Sequence, residues 1–74
     1  MIVNIDGKYY SYSEGDLWNV EVGKGSGSYK VRYSLDAPHK AIWYFNAINI
    51  GLGFKKRLTL VQNGCKIKIA RSLS

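Results

Sequence analysis

FKKRLTLVQNGCKIKIAR, residues 54–71, is the stretch whose reading decides the fold. Asn63-Gly64 divides it, and a two-residue type I′ turn needs φ > 0 at both central positions, which Asn and Gly tolerate. A two-residue loop pairs Gln62 with Cys65, Val61 with Lys66, Leu60 with Ile67, Thr59 with Lys68, Leu58 with Ile69 and Arg57 with Ala70. Alternation then predicts a core face of Leu58, Leu60, Ile67 and Ile69, with Gln62 and Cys65 near the turn. The opposite face carries Arg57, Thr59, Val61, Lys66 and Lys68, and Lys55 continues the row. One face is core and the other a basic plate.

The N-terminal third repeats the same turn logic. Ile2 to Ile5 and Lys8 to Tyr12 flank Asp6-Gly7, so a hairpin forms with Val3, Ile5, Tyr10 and Tyr12 on one face and Tyr9 on the other. Leu17 to Val22 alternates, with Trp18, Val20 and Val22 on one side. Tyr29 to Leu35 alternates again: Tyr29, Val31, Tyr33 and Leu35 inward, Lys30, Arg32 and Ser34 outward. The Gly-Lys-Gly-Ser-Gly-Ser run at 23–28 between them reads as a mobile hairpin tip. It is no phosphate cradle, because a P-loop opens onto a helix and this run opens onto a strand.

Residues 36–53 read as a helix. Asp36 is placed to cap it, and Pro38 suits its first turn. Ala41, Phe45, Ile48 and Leu52 form one stripe at helical spacing, and Gly51 or Gly53 supplies a left-handed stop. A strand over Ile42–Ile50 is the competing reading, given the β-branched and aromatic residues there. In the helical reading, Trp43, Ala47 and Ile50 line up at i, i+4, i+7 on the side away from the core stripe. Flanking segments could cover that side, or it is a contact surface for a partner or a second copy. The expected fold is α+β: a small antiparallel sheet of hairpins, about five to six strands, with one helix packed on it.

Seventy-four residues make one small basic domain, 1–74, which at this size buries roughly 60% of its unfolded surface and is marginal unless a partner helps. A single cysteine cannot form an internal disulfide, and no signal-peptide pattern or bilayer-length apolar run is present. The expected setting is cytoplasmic, the host cytoplasm if the chain is phage-encoded, with no membrane partner. Residues 1–37 hold four bases and all five acids, net −1, and residues 38–74 hold seven bases and no acid, net +7, which together give the chain's +6. Such asymmetry points to an anionic partner, nucleic acid or an acidic protein surface, against the plain alternative of charge for solubility.

Catalytic chemistry finds little footing. The only histidine, His39, sits at the presumed helix start, and Cys65 falls on the expected core face as a structural thiol. One Cys and one His make no metal site, and the second half has no carboxylates to pair. The chain therefore reads as a non-enzyme without metal, cofactor or small-molecule substrate. The candidate nucleic-acid contacts are Lys55, Lys56, Arg57, Lys66, Lys68 and Arg71, joined by Lys30 and Arg32 if the hairpins share a sheet. The candidate protein contacts are Trp43, Ala47 and Ile50, and homodimerisation is a further option.

The hairpin carrying YKVRYSL, followed by Asp36, Pro38 and the AIWYFNAI segment, is similar to the three-strands-plus-helix pattern of AP2-like DNA-binding domains, including the arm-binding domains of phage integrases. That resemblance covers about residues 17–50 and implies a sheet laid in the DNA major groove, with Lys30 and Arg32 as base or phosphate contacts. The hairpin after the helix departs from the pattern and holds most of the basic charge. In its size and lack of catalytic residues the chain also resembles phage inhibitors of anti-CRISPR and host-takeover type. Such proteins act by occluding a host machine, which makes a protein-binding inhibitor the alternative function.

Overall fold

The computed structural model describes residues 1–24, 29–51 and 56–71. Seven elements follow one another: β1 (Ile2–Ile5), β2 (Lys8–Ser11), β3 (Trp18–Lys24), β4 (Tyr29–Leu35), α1 (Pro38–Ile50), β5 (Lys56–Gln62) and β6 (Cys65–Arg71). β1 and β2 form their own two-stranded ribbon, while the other four make an antiparallel sheet in the order β4-β3-β5-β6. The fold is α+β, with two sheets where the hairpin pattern alone suggested one. Residues 25–28, 52–55 and 72–74, which hold the expected Gly-rich tip, Leu52 of the expected helix stripe, the expected Gly53 stop and the chain end, lie outside the described residues.

Both tight hairpins use the turn their dipeptides dictate. Asp6 and Gly7 have φ of 55° and 85°, Asn63 and Gly64 of 48° and 84°, so all four central residues are left-handed as type I′ requires. The first turn sets Ile2 opposite Ser11 and Val3 opposite Tyr10. Val3 and Ile5 are buried, Tyr10 and Tyr12 pack against the core, and Tyr9 is exposed. The second turn sets Gln62 opposite Cys65 and Val61 opposite Lys66 as expected.

Beyond Lys66 the ladder departs from strict alternation. Leu60 faces Lys68, Thr59 faces Ile69, Leu58 faces Ala70 and Arg57 faces Arg71, so Ile67 is an extra residue, a β-bulge. Every β6 side chain after the bulge is turned to the face opposite the expected one. Ile69 leaves the core and is exposed; Lys68 enters the helix side; Arg71 joins Arg57. Ile67 and Ala70 keep the strand in contact with the core. Cys65, expected as a buried thiol, is exposed, because it sits at the hairpin tip past the end of the hydrophobic cluster.

The core lies on one side of the four-stranded sheet. Trp18, Val20, Leu58 and Leu60 meet Ala41 and Phe45 of α1 and Val3 and Ile5 of β1, all of them buried. Apolar burial is the main stabiliser at about 25 cal/mol per Å² removed from water. Pro38 is the first helical residue, and it forces the residue before it into extended geometry, so Ala37 (φ −152°, ψ 148°) becomes the N-cap and offers no capping side chain. Asp36 is one position too early to cap and instead pairs with Lys40 one turn on, at 2.9 Å. The helix ends at Gly51 with φ −98°, so its stop is not the left-handed one its glycine suggested.

Candidate nucleic-acid interface

α1 and the β1–β2 ribbon take one face of the large sheet, and no described element lies across the other. The register builds that face in rows. Ser34, Asn19, Val61 and Lys66 stand side by side, then Arg32, Glu21, Thr59 and Ile69, and Gly23, Arg57 and Arg71 follow at the end, where a bulge after Val22 sets Tyr29, expected on the inward side, opposite Gly23. Asn19, Thr59 and Val61 on the two inner strands are buried, the first two although polar. The Asn19 Oδ1 atom is buried with no hydrogen-bond partner among the described residues.

The charged groups surround this centre. Glu21 accepts from Arg32 Nε at 3.2 Å, and no other described acid is on the face. Arg57 and Arg71 are directly opposite one another, an arrangement of like charges that a sheet does not favour by itself. Lys66 adds a fourth cation at the edge strand and is exposed. Of the residues the sequence nominated, Arg32, Arg57, Lys66 and Arg71 are thus brought together. Lys55 lies outside the described residues, as does the side chain of Lys30.

Two nominated cations are elsewhere. Lys68 is not on the plate: the bulge carries it to the helix side, where its Nζ is 2.7 Å from Asp6 and 4.8 Å from the centre of the Phe45 ring. There it ties the N-terminal ribbon to the sheet. Lys56 shares the helix side by alternation with Leu58 and Leu60. On the far surface of α1, Trp43 is 67% and Ile50 is 90% exposed, with Ala47 exposed between them. No loop or ribbon among the described residues covers that stripe.

Sequence reasoning missed a second function of the Asn-Gly turn. Asn63 Oδ1 accepts the Leu17 N–H at 2.8 Å and the Asn63 N–H donates to the Leu17 carbonyl at 2.8 Å, which clamps the turn to the start of β3. Beside it, Asp16 Oδ2 accepts from the Ser13 N–H at 2.9 Å and from Gln62 Nε2 at 3.0 Å. The Ser13 amide first, then the Asn63 and Gln62 side chains, hold the Asp16 carboxyl below its ordinary value. Among the described residues, no cluster of His, Cys, Asp and Glu could hold a metal ion, and no helix is long and apolar enough to cross a membrane. Compared with known proteins, the chain matches no family model, no curated protein and no solved structure. The likeness to AP2-like domains therefore stands on residue pattern alone.

Proposed function

We propose that the protein is a non-catalytic nucleic-acid-binding module whose contact surface is the face of the four-stranded sheet away from α1. One observation carries this reading: the sheet register gathers Arg32, Arg57, Lys66 and Arg71 on one face, across which no described element lies. Each phosphate neutralised by such a group releases condensed counterions, which makes the array worth more to a polyanion than to an isolated anion. A labelled duplex is the simplest probe of such a face; Tyr33, Trp43 and Tyr44, which could stack on unpaired bases, are on the helix side.

The test is fluorescence anisotropy of a labelled duplex across a salt series; intrinsic tryptophan is a poor reporter, because Trp18 and Trp43 both lie away from the face. Three to four phosphate contacts predict a slope of log K against log salt of about −3 to −4. Lys66→Glu with Arg71→Glu is expected to remove about two units of that slope, whereas Lys68→Glu leaves it unchanged. Equal loss from Lys68→Glu and the double variant would end the assignment to this face. The uncovered Trp43/Ala47/Ile50 stripe supports a second reading, occlusion of a host protein through α1. In that case Trp43→Ala abolishes function and the charge-reversed double variant keeps it.

A further inference from the structure

We propose, resting on the nucleic-acid reading, that the sheet face away from α1 holds a duplex by its phosphates alone and accepts any base sequence. Base edges lie at the floor of a groove, so a side chain must project to reach one. The major groove is about 12 Å wide and admits a helix or a two-stranded ribbon. This sheet has four strands, β4-β3-β5-β6, whose outer axes are about 14 Å apart at the usual strand spacing. It is too wide to enter, and only what stands above its surface can touch a duplex.

Little stands above its middle. Asn19, Val61 and Thr59 on the inner strands are 6%, 5% and 4% exposed, and Gly23 has no side chain. Even the unpartnered Asn19 Oδ1, an acceptor of the kind that reads adenine, is enclosed by its neighbours. Glu21 is the remaining described β3 side chain on the face; it is 18% exposed, and its Oε2 accepts from Arg32 Nε at 3.2 Å. The cations flank this floor, Arg32 on the outer strand β4 and Lys66 and Arg71 on the outer strand β6. A duplex approaching the sheet presents its phosphates to them before any base edge comes within reach of the floor.

The pairing of Arg57 with Arg71 selects phosphate on chemical grounds. Two guanidiniums directly opposite one another repel. A phosphate offsets that repulsion with a full negative charge and accepts from both forks, whereas guanine offers neutral acceptors only. Contacts to phosphate fix position and carry no sequence information.

Selection from a pool of duplexes with a randomised centre, followed by anisotropy of the selected and starting pools at one salt concentration, tests the proposal. Reading a single base pair is worth about 5–150-fold in affinity. The wild type is expected to enrich no motif and to bind the two pools with affinities that differ by less than about fivefold. An enriched motif bound more tightly than that overturns the proposal and leaves the nucleic-acid reading standing. No binding of either pool at low salt defeats the nucleic-acid reading and the proposal together. Two variants locate the contacts. Arg71→Gln is expected to weaken binding to every duplex alike and to lower the slope of log K against log salt by about one. Thr59→Val, similar in shape and checked for native circular dichroism, is expected to bind as the wild type does. A loss with Arg71→Gln that is confined to some sequences puts a base in contact with that arginine and overturns phosphate-only binding. A folded Thr59→Val variant that binds more weakly than the wild type overturns it too, because the floor then touches the duplex.

Discussion

Asn63 carries three tasks in one side chain and one backbone: it holds φ at 48°, its Oδ1 accepts the Leu17 N–H, and its own N–H closes the pair. The tasks are separable by substitution. Asn63→Gly keeps the left-handed turn and loses the side-chain bond, for a cost of about 1 kcal/mol. Asn63→Ala loses the bond and also pays for positive φ, for about 2–3 kcal/mol in all. In a domain of this size each kcal/mol lowers Tm by roughly 4–8 °C, so thermal melts will order the variants wild type, Gly, Ala. The neighbouring Asp16 gives a pH signature. Its carboxyl is held below the ordinary value of 3.8, so its stabilising contribution is complete above that pH and is lost as pH falls through the lowered folded value. Asp16→Asn is expected to flatten the decline of Tm below about pH 4. At this scale the sequence declared the turn but not the clamp, because Leu17 and Asp16 are remote in the chain from Asn63. Lys68 was illegible for the same reason. K-I-K-I alternates convincingly in either register, and only Asp6 and Phe45, both supplied by tertiary packing, give the lysine a place on the helix side.

Among the elements, the helix shows how a correct type can arrive with wrong ends. Proline at the first turn and the Ala41–Phe45 stripe identify α1, yet the same proline fixes Ala37, not Asp36, as the cap. That leaves the first turn without a side-chain acceptor for its free N–H groups. Ala37→Ser, already in the extended geometry a cap needs, is expected to stabilise the protein by about 1 kcal/mol, read as a higher urea midpoint at unchanged m. Strand existence was plain from alternation, and the β1–β2 and β3–β4 hairpins formed where the residues said. Bulges were not plain, because an extra residue leaves no mark in a binary pattern. Ile67 thereby decided half of the basic face, removing Lys68 and adding Arg71.

For the molecule as a whole, the sheet order makes β3 and β5 the inner strands, each paired on both sides. The core is accordingly thin and one-sided, and its largest members carry much of it. Phe45→Ala, at a fully buried ring, is expected to cost about 3–5 kcal/mol, comparable to the whole stability of a small domain, and to leave the chain unfolded at 37 °C by circular dichroism. Charge asymmetry was legible at this scale from the two halves of the sequence. Which face received it was not, since that depends on the helix and ribbon both choosing the other side.

The inner pairing of β3 with β5, from Trp18 opposite Gln62 to Lys24 opposite Lys56, is the only described ladder that is not a local hairpin. Each flanking hairpin can zip up by itself, so joining them is the late, slow event that closes a long loop. The protein is in that sense a two-piece object with a seam. Split between Gly51 and Lys56, it yields an N-terminal piece that ends in α1 and a C-terminal piece that is one hairpin. Mixed together, the pieces are expected to find the same seam and restore the far-ultraviolet spectrum of the uncut chain, at a rate that rises with their concentration.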